Sequence, residues 1–129
     1  MDLSDKRMLL VEDNELNIMM EAVIFTSYNF QIEEAVNGEE AVEKIKNNPE
    51  GYYDIIFMDI LMPVKDGIEA TKEIRAMDRL DTMIIPIVAM TAESDAGEIE
   101  KYPEYGFTDY IEKPMDSDAV DVLVRKYFE

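Results

Sequence analysis

Apolar and polar residues along the chain fall into short blocks that stop abruptly at charged or hydroxyl side chains. Met8-Leu9-Leu10-Val11 ends at Glu12-Asp13-Asn14, Ile55-Ile56-Phe57-Met58 ends at Asp59, and an apolar run from Met83 to Met90 ends at Thr91. Runs this short, rich in β-branched residues and apolar on consecutive positions, predict strands buried on both faces, as in parallel sheets. Phe30 to Val36 is shorter and more polar, which predicts a strand at a sheet edge. A fifth strand is predicted over Thr108 to Glu112, closed by Lys113-Pro114. Pro86 falls inside the fourth run and removes a donor, so an irregularity is expected there.

Helical spacing fills the intervals. Glu15 to Ser27 places Leu16, Met19, Met20, Val23 and Ile24 on one face, taken as the inner one, with Asp13 or Asn14 as its cap. Glu39 to Asn47 turns Ala41, Val42 and Ile45 inward, and Gly67 to Met77 turns Ile68, Ala70, Thr71 and Ile74 inward. Ser94 to Tyr105 is the weakest helix, because Gly97 and Pro103 interrupt it. The last helix starts from Asp116 or Ser117 and runs to Phe128, with Ala119, Val120, Leu123, Val124 and Tyr127 inward. Strand and helix alternate five times at about 25 residues per unit, which predicts right-handed βαβ crossovers and an α/β fold with a parallel five-stranded sheet between helical layers. Residues 1–129 read as one domain, with no repeat, linker or low-complexity segment.

Charge and composition narrow the chemistry. The formal net charge is −18, which repels nucleic acids and anionic membranes and attracts divalent cations. The chain holds no histidine and no cysteine, which removes imidazole-assisted nucleophiles, disulfides and thiolate metal sites. No apolar run approaches the roughly 20 residues of a membrane span, and the N-terminus has no signal-peptide pattern, so a cytoplasmic domain is expected.

A parallel sheet brings its carboxyl ends to one edge, where ligands bind in open α/β folds. Glu12, Asp13, Asp59, Thr91 and Lys113 therefore share a cleft. Two ionised carboxylates about 4 Å apart repel by roughly 4 kcal/mol at an effective dielectric of 20, so a cation between them is needed. Oxygen ligands with open positions suit Mg²⁺ shared with phosphate. An ionised aspartate beside Mg²⁺ is a nucleophile that needs no general base, and phosphoryl transfer onto it gives an aspartyl phosphate. Singly, each residue has a plainer reading: Asp13 as a helix cap, Asp59 as a turn residue, Thr91 as a cap, Lys113 as a solvated surface lysine, Tyr110 as a half-buried strand aromatic. Their joint placement favours the site. Met58, Met62, Met90 and Met115 near the cleft are read as core or loop filler, and Tyr102, Tyr105 and Phe107 as either a docking patch or core.

Leu-Leu-Val-Glu-Asp-Asn-Glu-Leu-Asn (9–17), Ala-Val-Asn-Gly-Glu-Glu-Ala-Val (35–42), Met-Asp-Ile-Leu-Met-Pro-Val-Lys-Asp-Gly-Ile-Glu-Ala-Thr (58–71), Ile-Val-Ala-Met-Thr-Ala (87–92) and Asp-Tyr-Ile-Glu-Lys-Pro (109–114) follow one another in this order. Together they resemble the receiver domain of two-component response regulators over the whole chain, and most of all the receivers of hybrid histidine kinases. That resemblance implies a doubly wound, flavodoxin-like (βα)5 fold with strand order 2-1-3-4-5. It implies that Asp59 accepts phosphate from a phosphohistidine of a histidine kinase or histidine phosphotransfer protein. It implies Mg²⁺ held by Asp13, Asp59 and the Leu61 carbonyl, with Glu12 acting through metal-bound water. Thr91 and Lys113 would bind the phosphate, the Lys113–Pro114 bond would be cis, and Tyr110 would be the aromatic switch that follows Thr91. Pro103, Gly97 and Asn29, the last at a position often occupied by glycine, depart from the family pattern on the partner-facing side. The expectation is a monomeric signalling domain, not an enzyme beyond self-phosphorylation and dephosphorylation. The alternatives are a Mg²⁺-dependent aspartyl phosphatase, against which Leu61 stands where a second acid is usual, and a binding-only pseudo-receiver.

Overall fold

The computed structural model describes residues 1–92 and 100–129. Strands β1 (Arg7–Val11), β2 (Gln31–Ala35), β3 (Ile55–Asp59), β4 (Ile87–Thr91) and β5 (Asp109–Glu112) pair in parallel in the order β2-β1-β3-β4-β5. β3 lies in the middle and every one of its residues is buried. Its side chains alternate between two cores, as the period of two in a strand requires. Ile56 and Met58 face a layer with Ala41, Val42 and Ile45 of α2 (Gly38–Lys46) and Ala70 and Ile74 of α3 (Gly67–Ala76). Ile55 and Phe57 face the other layer, with Ile18 and Phe25 of α1 (Glu15–Thr26) and Val120, Leu123 and Val124 of α6 (Ser117–Phe128). Helices thus cover both faces, and β2 is an edge strand as its polarity predicts.

Two expectations are corrected, and a third falls partly outside the described residues. The strand expected from Met83 begins late: Met83 and Ile84 belong to a one-turn helix, α4 (Leu80–Ile84), and are exposed. Pro86 then precedes β4, where its missing N–H disturbs no ladder, and its carbonyl accepts from Ile56 N at 2.9 Å. The helix expected over Ser94 to Tyr105 has residues 94–99, Gly97 included, outside the described residues. Its described remainder is the short α5 (Tyr102–Tyr105), with Pro103 in the first turn, where the absent donor would be unpaired anyway. Tyr102 and Phe107 are core.

The second correction concerns the phase of α1. Leu16, Met19, Met20 and Val23, expected inside, are 64%, 66%, 54% and 70% exposed. Ile18, Glu21 and Phe25 are the buried residues instead. The helix is apolar on both faces, so spacing alone does not choose which one turns inward. The turn after it closes at Asn29, whose φ of 65° takes up the left-handed conformation that asparagine tolerates better than most residues.

Candidate functional site

The sheet register assembles the acids. Leu10 pairs with Phe57 and Val11 with Met58, so the next step along both strands sets Glu12 beside Asp59. Asp59 pairs with Met90 across β4, and Met90 and Thr91 pair with Ile111 and Glu112, which brings Lys113 to the same edge. Asn14, not Asp13, caps α1: its side chain accepts from Asn17 N at 3.0 Å. Asp13 stays exposed at the cleft mouth. After β3 the chain turns at once, and Gly67 N donates to Ile60 O at 2.9 Å. A Cβ on Gly67 would stand 2.1 Å from the Asp59 carbonyl oxygen, so only glycine lets α3 start this close to the acid's own backbone.

Glu12, Asp13 and Asp59 each place a carboxylate oxygen within 4.8 Å of the others. Lys113 Nζ lies 2.5 Å from Glu12 Oε1 and 3.4 Å from Asp59 Oδ1. Glu12 is 1% exposed and Asp59 7%. Burial, and then the charge of Glu12, push the Asp59 carboxyl up to about 7 against the pull of Lys113. Burial acts on Glu12 in the same sense, but its pairing with Lys113 outweighs this and holds it below the usual carboxylate range. Burial would lower the Lys113 ammonium, and the two acids more than reverse that. One ammonium among three carboxylates leaves the cluster short of positive charge. An all-oxygen donor set of this spacing fits a hard divalent ion.

These residues line a cavity of about 270 Å³ with Asn14, Asn17, Leu61 and Ala92. The structure therefore brings together Glu12, Asp13, Asp59, Leu61 and Lys113. Thr91 is at the carboxyl end of β4 as expected, but its buried hydroxyl turns across the sheet and donates to Ile111 O at 3.4 Å. Tyr110 is 44% exposed, with its ring centroid 6.3 Å from that of Tyr102. The Lys113–Pro114 peptide is cis.

Glu21 was not expected at the site. It is 6% exposed on α1, and burial together with the charge of Glu12 pushes its carboxyl up to about 8. Its spacing from Ile18 and Phe25 marks it as inward-facing once the phase of α1 is known.

The family model of the response regulator receiver domain matches residues 8–125. Two-component system protein A of Emericella nidulans is 40% identical over 124 residues, 95% of this chain and 17% of that protein, so the chain spans about a sixth of that relative's length. Among solved structures, the receiver domain of the sensor histidine kinase PA1611 of Pseudomonas aeruginosa PAO1, with a magnesium ion in its active-site cleft, has a TM-score of 0.82 at 31% identity, covering 95% of this chain and 96% of that one. The receiver domain of Saccharomyces cerevisiae Ssk1, solved with the histidine phosphotransfer protein Ypd1, also has a TM-score of 0.82 at 31% identity, covering 95% of this chain and 88% of that one. With its strand order, its helices on both faces and its acids at the carboxyl edge, the chain belongs to the response regulator receiver domain family.

Proposed function

We propose that Asp59 accepts a phosphoryl group from the phosphohistidine of a histidine kinase or histidine phosphotransfer protein. The observation that carries this is the convergence of Glu12, Asp13, Asp59 and Lys113 within ion-pairing range. Glu12, Asp13, Asp59 and the Leu61 carbonyl would hold Mg²⁺, which when bound supplies positive charge between the acids and the phosphoryl oxygens. In the transfer, the phosphorus–nitrogen bond of the donor imidazole breaks as a carboxylate oxygen of Asp59 bonds to phosphorus. The imidazole keeps the electron pair. The nucleophile carries no proton, so its activation consists in keeping it ionised, which the positive charges at the site favour. Lys113 offers its ammonium to the transferred oxygens.

Thr91 then exchanges its bond to Ile111 for one to the phosphate, and Tyr110 turns from the surface into the space so vacated. The differential affinity of the two packings for phosphate drives the switch. The phosphodonor docks on the exposed apolar strip of α1, formed by Leu16, Met19, Met20 and Val23 next to the cleft. The cytoplasm, where nucleotide-fed histidine kinases act, is the setting for this reading. Phosphoramidate with Mg²⁺ adds one phosphoryl group to the wild type and none to Asp59→Asn. Labelling of the variant, or steady turnover of small phosphate esters by the wild type, would contradict it.

A further inference from the structure

Leu61 lines the acid cleft, yet its side chain is exposed, and of residues 61–64 Met62 alone packs against the core. The shape of this loop is closed from within: Gly67 N–H donates to Ile60 O at 2.9 Å and Lys65 N–H to Pro63 O at 2.8 Å. Its place beside the cleft is set from a neighbouring helix. Gly38, the first residue of α2, donates its N–H to Lys65 O at 3.0 Å. A Cβ on Gly38 would stand 2.6 Å from that oxygen and 2.9 Å from Asp66 O, too close unless the loop backbone moved. The Lys65 ammonium also pairs with Glu39 of α2 at 3.1 Å and with Glu73 of α3. Main chain and side chain of Lys65 thus tie the loop to both helices. Because the loop is closed on itself, a shift at Lys65 O is passed on to Leu61.

We propose that Gly38 and Lys65 are positioning residues for the metal: by fixing the loop from α2 they place the Leu61 carbonyl for Mg²⁺ and so favour Mg²⁺ over Ca²⁺. This rests on the reading that the Leu61 carbonyl joins Glu12, Asp13 and Asp59 around the ion. Mg²⁺ demands near-ideal octahedral geometry at about 2.0–2.1 Å, whereas Ca²⁺ accepts six to eight oxygens at about 2.3–2.6 Å in flexible arrangements. Carboxylates on side chains can follow either ion. A backbone carbonyl moves only with its loop, so a loop displaced at Lys65 costs Mg²⁺ more than Ca²⁺.

Calorimetric titration of the whole chain with Mg²⁺, and separately with Ca²⁺, tests it in the wild type, Gly38→Ala, Lys65→Met and Lys65→Arg. Gly38→Ala, a change that ordinarily favours a helix, should weaken Mg²⁺ about tenfold or more and Ca²⁺ by less than about threefold. Lys65→Met should lower the preference for Mg²⁺ over Ca²⁺ by about threefold, since its ion pairs are partly exposed. Lys65→Arg keeps both pairs and should restore that preference. The charge lost in Lys65→Met acts on both ions alike, so the ratio of affinities reads geometry. Equal weakening of the two ions, or a Mg²⁺ affinity unchanged in Gly38→Ala, would overturn the proposal. If Gly38→Ala does not fold, an unchanged ratio in Lys65→Met overturns it. Absence of Mg²⁺ heat in the wild type overturns instead the metal set of Glu12, Asp13, Asp59 and Leu61 on which it rests.

Discussion

Lys113 holds Glu12 more closely than it holds Asp59: its ammonium is 2.5 Å from the first carboxylate and 3.4 Å from the second. Glu12 is the more deeply buried acid, so the lysine's first task is to neutralise it. Lys113→Met leaves that charge unpaired and should destabilise the metal-free protein by about 3 kcal/mol. Urea denaturation in EDTA measures this. Added Mg²⁺, which binds only the folded cluster, should restore part of the loss. A variant as stable as the wild type would mean that the pair contributes nothing.

The two raised carboxyls set a pH dependence. Asp59 is pushed up to about 7 and Glu21 to about 8, both by burial and then by the charge of Glu12. The folded protein thus retains protons that the unfolded chain has released, and stability falls as pH rises through these values. Glu12, held low, contributes stability that is present throughout this window and lost below it, and Lys113, held high, loses its own above it. In EDTA the Tm should fall between about pH 5 and pH 8 and level off above it, and Glu21→Gln should remove the part of the fall above about pH 7. A Tm that rises over this interval would contradict the assignment.

Much of the fold was legible because β-strand and helix patterns differ in period, and the β1, β3 and β5 boundaries follow from runs that end at charges. The acid cluster was legible for the same reason, since a parallel sheet sends all its strand ends to one edge. The inner face of α1 was not. Leu16, Met19 and Val23 compete with Ile18 and Phe25 for the core, and the volume of Phe25, packed 4.7 Å from Phe57, decides it. Glu21 was hidden with it, because an acid is not expected on a buried face. The turn of the Thr91 hydroxyl toward Ile111 depends on a single rotamer, which no pattern encodes.

The same correction makes a test of α1. Met19→Glu and Val23→Glu change exposed positions, so stability should move by no more than about 0.5 kcal/mol. Phosphoramidate labelling should be unaffected. Transfer from a phosphorylated histidine phosphotransfer protein should slow about tenfold or more, as truncation of an interface anchor does. Unfolding of either variant would return α1 to the phase read from spacing.

Val64, in the loop after β3, has φ of 69° and is 80% exposed. A β-branched residue is strained at this positive φ, which the Lys65 N–H holds by donating to Pro63 O across it at 2.8 Å in a tight three-residue turn. Val64→Asn should stabilise the domain by about 1 kcal/mol, seen as a higher urea midpoint at unchanged slope. A lower midpoint would show that the valine makes contacts the exposure does not suggest.

Calorimetric titration with Mg²⁺ bears on the acid cluster most directly. Three carboxylates within 4.8 Å, with one ammonium between them, predict a single saturable site in the wild type. Asp13→Asn and Asp59→Asn should each weaken it about tenfold or more. Absence of binding heat in the wild type, or an affinity indifferent to both substitutions, would contradict the account.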